Sequence, residues 1–342
     1  TGAGFVARGR YSWNSAGGMP ALFVEIFPQT ERLFQARSSK NNLSHRNLLR
    51  TVVALLNLLT IFDDIDQVSG AAVRTVAAGL DQKVITPETT YIDKGSMTLD
   101  GRTFSNYDGK ARGVVPMQQI LNQSLNTGVA FIVSRLGNRV FADYFKNYGL
   151  GEETGIDLPG EQPGLIKNLD SGRDIEYATA SFGQGIAPTA IETVRALASL
   201  GNGGVLVTPH VVKEVRYKIG INKLITYDND KRVLRPETSE EISRMLVNVV
   251  DEALLDGKIK MEHYAIAAKT GTAQIAKETG GYYDDRYLHS FFGYFPAYSP
   301  DFIVFFYMYY PKNVKYASET LTEPFSETAK FLINYYEVPP DR

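Results

Sequence analysis

Three consecutive strand-like runs in the last third of the chain decide its fold. The first is YAIAAKTGTAQIA at residues 264–276, the second is YLHSFFGYFPA at 287–297, and the third is DFIVFFYMYYP at 301–311. These runs are apolar and rich in aromatic or β-branched residues, which favour strands. Only a short Tyr-Ser-Pro turn separates the second run from the third, so these two are predicted to form an antiparallel hairpin.

Helical patterns lie before and after these strands. VVPMQQIL has Pro116 where a first-turn proline belongs, and TGVAFIVSRLG has apolar residues at helical spacing up to Gly137. Asn126 or Thr127 is available as the N-cap of that second helix. Longer helices are predicted in TAIETVRALASLGNGG, in PETSEEISRMLVNVVDEALLDG and over about 319–336. Helices around an antiparallel sheet indicate a mixed α/β domain and not a doubly wound nucleotide-binding fold.

The first 74 residues differ in composition from the rest of the chain. They contain seven Arg, one Lys and one Tyr, whereas residues 75–342 contain twelve Arg, sixteen Lys and nineteen Tyr. Only Glu25 and Glu31 are acidic among the first sixty positions, and the segment has no clean hydrophobic period. Two hypotheses account for this difference: a basic, loop-rich lobe, or a segment that is not the natural amino-acid sequence, because of a shifted reading frame or a misassigned trace. The pattern becomes regular from Thr75 onward.

Composition and missing motifs exclude several classes of function. The 342 residues carry 36 basic and 38 acidic side chains, a formal charge of −2, which gives no reason to expect a nucleic-acid partner. The absence of cysteine excludes disulfides, thiol catalysis and thiolate metal sites. The sequence has no Walker loop, no Gly-x-Ser-x-Gly and no His-Glu-x-x-His. The longest apolar stretch, at 48–62, is too short to cross a bilayer.

The histidines give no sign of a metal site. They stand far apart, without the spacing of metal ligands, and we expect each to be a surface or packing residue. These residues are His45, His210, His263 and His289. We therefore expect no metal and no other cofactor.

Two polar elements remain that could carry chemistry. The first is KTGT at 269–272, which interrupts an apolar strand. One interpretation is a strand whose solvent face begins at Lys269; the other is an edge strand facing a cleft, with a cation, two hydroxyls and a glycine that lets a ligand approach. The second element is SLN at 124–126, between two predicted helices, where a break lets both polar side chains point into one cleft. Each element alone is weak.

Together, in this order, the two elements resemble class B penicillin-binding proteins, the transpeptidases that cross-link peptidoglycan. The resemblance covers Thr75 to about Pro311 and is strongest with the division and sporulation branch. The segments that carry it are GRTFSNYDGK at 101–110, ILNQSLNTGVAFI at 120–132, DLPGE at 157–161, SFGQGIAPTAIETVRALASLGNGGVLVTPHVVKEV at 181–215, AAKTGTAQ at 267–274 and FFGYFPA at 291–297.

The resemblance implies a fold and a domain organisation. The fold would be that of penicillin-binding transpeptidases and serine β-lactamases: a central antiparallel sheet flanked by helices, with an all-helical subdomain. The transpeptidase domain would occupy 75–342, with the helical subdomain at about 110–200 and the carboxy-terminal strands at about 264–311. The atypical segment 1–74 would carry the start of the nucleophile helix.

The resemblance also implies site residues. In the family, a Ser-x-x-Lys serine is the nucleophile and the lysine, one helical turn later, accepts its proton. By resemblance, Ser124 would relay protons and Asn126 would bind the amide of the substrate. Lys269 would supply positive potential, and Thr270 and Thr272, on either side of Gly271, would bind the terminal carboxylate. The implied reaction is acyl transfer, in which a D-Ala-D-Ala stem peptide acylates the serine and a neighbouring amine resolves the acyl-enzyme. The Thr272 N–H would contribute to the oxyanion hole.

The resemblance further implies partners and a location. Peptidoglycan stem peptides and β-lactam antibiotics would be the ligands, and other proteins of cell-wall synthesis or division would be partners. The domain would lie on the outer face of the cytoplasmic membrane, anchored by a transmembrane segment that precedes Thr1.

The chain departs from the family at the nucleophile. Counting back from AAGL at 77–80 places the serine at Ser69 and the lysine at Ala72, so SGAA stands where Ser-x-x-Lys is expected. Two hypotheses remain: an impaired homologue that binds muropeptides or β-lactams as a sensor or scaffold, and a normal transpeptidase with an altered amino-terminal segment. We favour the second, because loss of catalysis would not also change the composition of the whole segment. A serine β-lactamase is disfavoured because no deacylating base can be assigned.

Overall fold

The structure, a computed structural model, describes residues 21–25, 70–212, 214–216, 222–225, 231–277 and 279–342. The predicted nucleophile Ser69, His45 and the apolar stretch at 48–62 lie outside the described residues. The helices are α1 (Ala71–Asp81), α2 (Met117–Gln123), α3 (Asn126–Leu136), α4 (Asn138–Asn147), α5 (Asp174–Ala180), α6 (Ala190–Gly201), α7 (Pro236–Asn248), α8 (Ala317–Thr320) and α9 (Thr322–Tyr336). The strands are β1 (Ala21–Glu25), β2 (Thr90–Asp93), β3 (Ser96–Leu99), β4 (Arg102–Ser105), β5 (Gly113–Pro116), β6 (Val205–Leu206), β7 (Glu214–Arg216), β8 (Asn222–Leu224), β9 (Lys231–Arg232), β10 (Ala267–Ala276), β11 (Tyr282–Phe295) and β12 (Phe302–Tyr309).

The central sheet has the strand order β1-β12-β11-β10, so β10 lies at an edge. The predicted hairpin is confirmed, because β11 and β12 pair antiparallel from Leu288↔Tyr309 to Phe295↔Phe302. β10 also pairs antiparallel with β11. The exception to the predicted antiparallel order is β1, which comes from the atypical segment and runs parallel to β12. Its five residues are too short a run to reveal a strand by periodicity.

Both faces of the sheet are buried. On one face, Ala267 and Phe292 belong to the same apolar core as the helices α1, α3 and α6. On the other, Phe291 stacks on Phe325 of α9 with ring centroids 4.4 Å apart. Gly293 permits this contact, because a Cβ at that position would lie 2.4 Å from the Phe325 ring. The predicted arrangement of helices around the sheet is thus present.

The helices follow the predicted pattern with three differences. The N-cap of α3 is Leu125, without a side-chain cap, and not Asn126 or Thr127, because those side chains bond elsewhere. The helix predicted from 236 to 257 is interrupted: α7 ends at Asn248, a π turn covers 249–253, and left-handed backbone at Leu255 and Asp256 breaks the turn after it.

The third difference is at the carboxy end, where the helix predicted from residue 319 is split into α8 and α9. The buried face of α3 agrees with the pattern of TGVAFIVSRLG, because Val129, Ile132, Val133 and Leu136 all point into the core.

The described residues contain neither a cluster of metal ligands nor a helix that could span a membrane. Among the described residues, no three His, Cys, Asp or Glu side chains are grouped closely enough to hold a metal ion. Within the same ranges, no helix combines the length and hydropathy required to cross a bilayer.

Candidate active site

A direct contact joins the two polar elements of the sequence. The Lys269 Nζ atom on β10 donates to the Ser124 Oγ atom at 2.5 Å and to the Thr270 carbonyl at 3.0 Å. Lys269 is only 5% exposed, whereas Ser124 lies at the surface. The lysine therefore does not begin a solvent face, and the edge-strand interpretation of KTGT describes its geometry better.

The position of Ser124 depends on a break between α2 and α3. Ser124 ends α2 with φ 52° and ψ 53°, in the left-handed region that residues with a Cβ seldom occupy. The next residue, Leu125, is buried, and its N–H bonds to the Ile120 carbonyl. Strained backbone of this kind persists where the surrounding structure holds it, often at functional sites.

The contact between Lys269 and Ser124 leaves one N–H of the ammonium and the hydroxyl proton of the serine available to other groups. Burial lowers the pKa of Lys269 to about 8, so the ammonium form still predominates at neutral pH. Two of its three N–H bonds are used by Ser124 and Thr270. Because the ammonium can only donate, the Ser124 oxygen accepts and its own proton is free for a third group.

Asn126, at the start of α3, is held by the β4 segment. Its Nδ2 atom donates to the Ser105 carbonyl at 2.9 Å, and the side chain is half-buried. The neighbouring Thr127 is buried; its N–H and Oγ1 atoms both bond to the Asn106 side chain at 3.2 Å. The segment GRTFSNYDGK therefore positions the Ser-x-Asn element.

A buried carboxylate lies at the centre of this support. Asp93 accepts hydrogen bonds from the Gly95 and Arg112 N–H groups, the Asn106 Nδ2 atom and the Thr127 Oγ1 atom, the last at 2.7 Å. Burial by itself raises the pKa of Asp93, but these donors outweigh it and the net pKa is lower than usual. Asp93 is thus an ionised anchor behind Asn126.

Thr272 lies further along the edge strand. Its Oγ1 atom accepts the Ala317 N–H at 2.9 Å. Thr270 and Thr272 share one face of β10, since side chains alternate along a strand. Thr272 is exposed, and Thr270 and Gly271 are half-buried. The two hydroxyls and the backbone around Gly271 are therefore accessible from the edge of the sheet.

The nucleophile position is described only in part, because Ser69 lies outside the described residues. Gly70 precedes α1 with φ 112°, and a Cβ there would lie 2.7 Å from the Leu197 side chain. Ala72 is partly buried in the first turn of α1 and packs against the core. Ala72 has no amine, and it stands at the position where the resemblance predicts the family's lysine.

Sequence reasoning missed the supporting residues. The sequence gives no role to Asp93, presents Thr127 only as a possible N-cap and His289 only as a surface or packing residue, and includes Asn106 only within GRTFSNYDGK. The signal for these residues was weak, because single polar residues in short strands have no period. A buried histidine cannot be told from an exposed one by spacing.

Comparisons with known proteins identify the family of this chain. The family model for the penicillin binding protein transpeptidase domain matches residues 73–329. Stage V sporulation protein D of Bacillus subtilis is 33% identical over 260 residues, which cover 73% of this chain and 39% of that protein. The Mesostigma viride protein named peptidoglycan D,D-transpeptidase FtsI homolog is 26% identical over 294 residues, covering 78% of this chain and 48% of that protein.

The fold is also that of solved structures. Penicillin binding protein 3 from Mycobacterium tuberculosis, crystallised with aztreonam, gives a TM-score of 0.75 at 24% identity, covering 83% of this chain and 65% of that chain. The present chain spans about two-fifths of the length of the first curated relatives it matches. The predicted resemblance and fold class are confirmed.

Proposed function

This chain belongs to the penicillin-binding protein transpeptidase family, in its division and sporulation branch, and we propose that it acts as a peptidoglycan D,D-transpeptidase. The observation that carries the proposal is the contact between Lys269 and Ser124 at the edge of the sheet. This contact places a cation and a free hydroxyl proton at a strand edge that an extended peptide can reach.

The cleft residues suit an acyl donor that ends in a carboxylate. Lys269 supplies positive potential, and Thr270 and Thr272 supply hydroxyl donors for the terminal carboxylate of D-Ala-D-Ala or of a β-lactam. Asn126 binds the amide of the ligand, while Ser124 passes a proton to the departing amine. The Thr272 N–H stabilises the oxyanion. The finding that a fold relative was crystallised with aztreonam supports β-lactams as ligands.

The reaction is a two-step acyl transfer. The nucleophile's Oγ atom attacks the carbonyl carbon between the two D-Ala residues, the C–N bond breaks, and the terminal D-Ala leaves with a proton. The amine of a second stem peptide then attacks the ester, and the serine recovers its proton. Ser69 is the positional candidate for this nucleophile.

A second candidate function rests on Ala72. A chain with alanine there lacks the amine that accepts the serine proton, and general-base assistance is worth about 10²–10⁴-fold. Such a chain would bind muropeptides or β-lactams without acylation, as a sensor or scaffold.

The proposed location is the outer face of the cytoplasmic membrane, with partners among the proteins of cell-wall synthesis and division.

Acylation by a fluorescent penicillin, followed by intact-mass and peptide mapping, tests the proposal. The compared proteins are the parent chain, Ala72→Lys, and Ala72→Lys with Ser69→Ala. We expect Ala72→Lys to acylate at least about 100-fold faster than the parent, and the double variant to lose this gain.

Each outcome selects one hypothesis. Reversible binding without an adduct in any variant supports the sensor or scaffold, and rapid turnover of the drug supports a β-lactamase. An adduct on a serine other than Ser69 shows that the alignment of the nucleophile is wrong. A fast adduct on a peptide whose mass does not fit residues 60–80 supports an altered amino-terminal text.

A further inference from the structure

A buried histidine holds the segment that contacts Thr272. His289 lies on β11 directly opposite Thr272 of β10, and its side chain is fully buried. Its Nε2 atom is 3.0 Å from the Lys315 carbonyl, and its Nδ1 atom is 2.8 Å from the Thr320 Oγ1 atom. The ring therefore bonds to both ends of the segment 315–320, which includes α8.

The hydrogen bonds define the state of the ring. A carbonyl oxygen only accepts, so the His289 Nε2 atom carries a proton. Burial lowers the pKa of His289, so the ring is neutral near pH 7 and its Nδ1 atom accepts from the Thr320 hydroxyl. The alternative acceptor for that hydroxyl, the Ala317 carbonyl, is further away at 3.3 Å.

The same segment fixes the hydroxyl of Thr272. The Ala317 N–H lies between the two positions that His289 holds, and it donates to the Thr272 Oγ1 atom at 2.9 Å. With one lone pair engaged by that N–H, the Thr272 hydroxyl keeps its single proton for another acceptor. A segment that shifted would release the hydroxyl to rotate.

We propose that His289 is a positioning residue: by holding segment 315–320, it makes the Ala317 N–H orient the Thr272 hydroxyl as a donor to a ligand carboxylate. This inference rests on the proposed function of the cleft. His289 touches no ligand, and its effect passes through Ala317 and Thr272.

The test compares two size-matched changes at the ring. His289→Phe keeps a planar ring and removes both hydrogen bonds, whereas His289→Gln keeps one donor and one acceptor. Thr320→Val removes the hydroxyl at nearly constant volume and leaves the ring in place. His263→Gln, at an exposed histidine, is the control.

Two measurements separate positioning from general damage. The first is hydrogen exchange of the peptide that covers residues 313–321 in the free protein. The second is the reversible dissociation constant for benzylpenicillin and for its methyl ester, which lacks the carboxylate charge. A merely structural role would weaken both ligands equally.

We expect His289→Phe and Thr320→Val to exchange faster at 313–321 and to bind benzylpenicillin roughly three- to tenfold more weakly, with ester binding unchanged. His289→Gln should restore most of the difference between acid and ester. Unchanged exchange in His289→Phe, or equal losses for acid and ester, would overturn the proposal. A parent chain that does not distinguish acid from ester would instead refute the proposed function of the cleft, and the positioning role would fall with it.

Discussion

Arg74 and Lys269 are both buried cations, and their surroundings differ. The Lys269 ammonium lies at the edge of the sheet and bonds to Ser124 and Thr270. The Arg74 side chain is fully buried in α1, and none of its guanidinium nitrogens has a hydrogen-bond partner within the described ranges. The guanidinium carbon lies 5.6 Å from the centroid of the Phe145 ring. Burial lowers the pKa of Arg74 to about 10.

The comparison shows when a buried charge indicates function. A buried cation that donates to oxygen acceptors beside an exposed hydroxyl can bind a ligand. These hydrogen bonds offset part of the free energy that burial of the charge costs. Arg74 is attracted by Tyr148 and Glu192, but without a hydrogen-bonded acceptor in the described ranges this attraction does not offset the burial of its charge, which destabilises the native state. Arg74 is also the last residue of the compositionally atypical segment 1–74.

The largest expected effect is at Lys269. Lys269→Met removes the charge that we propose faces the ligand carboxylate, and we expect affinity for a labelled penicillin to fall by roughly 100-fold. The melting temperature should not fall, because a buried charge is replaced by an apolar side chain of similar length. Lys258→Met, at an exposed lysine, is the matched control. Retained affinity in Lys269→Met would show that the buried charge of Lys269 has no role in ligand binding.

The pH dependence of stability comes next. The pKa of Lys269 is about 8 in the folded protein and near 10.5 in the unfolded chain. Between these values the unfolded chain keeps a proton that the folded protein has lost, so the free energy of unfolding rises with pH. The gain relative to Lys269→Met should reach up to about 3 kcal/mol near pH 10.5, as measured by urea unfolding. A parallel pH profile in the two proteins would mean that the lysine is not desolvated.

Replacing Arg74 should raise stability and leave ligand binding unchanged, whereas replacing Lys269 should weaken ligand binding. We expect Arg74→Met to raise the free energy of unfolding by about 2 kcal/mol, since it replaces a buried charge that has no hydrogen-bonded acceptor in the described ranges by an apolar chain. Penicillin affinity should not change. Arg135→Met, at an exposed arginine of α3, should stay within about 0.5 kcal/mol. A loss of stability in Arg74→Met would show that Arg74 has a partner that matters.

The smallest expected effect is that of Ser124→Ala on the pKa of Lys269. This change removes a hydrogen-bond acceptor of the kind that Arg74 lacks in the described ranges. Ser124→Ala removes one acceptor of the Lys269 ammonium, and hydrogen bonds to a charged form favour that form. We expect the pKa of Lys269 to fall further, by less than about one unit. Nuclear magnetic resonance of the labelled lysine side chain over pH 6–10 measures this shift. An unchanged midpoint would mean that Thr270 alone sustains the charge.

The sequence predicted the strands and the Ser-x-Asn and KTGT elements because these have local signatures. Alternation, aromatic content and a short turn define β11 and β12, and a lysine in an apolar strand stands out at Lys269. The approach of Ser124 to Lys269 came only from the resemblance, since residues 145 positions apart leave no local trace of their contact.

Features that stayed hidden depend on tertiary burial. The prediction that Asn126 or Thr127 is the N-cap of α3 was wrong. The side chain of Asn126 bonds to the β4 segment and that of Thr127 bonds to Asp93, so neither caps the helix. Arg74 appeared only as part of a compositional shift, since its burial depends on how α1 packs. His289 resembles any other histidine until its two partners on segment 315–320 are known.

The left-handed backbone at Ser124 sets stability and function against each other. Glycine and asparagine fit that conformation better than serine does, so a library of variants selected only for resistance to heat should move towards them at this position. A library selected for drug binding should keep serine, for its hydroxyl. The residue that each library retains at position 124 would therefore report whether folding or chemistry governs the cleft.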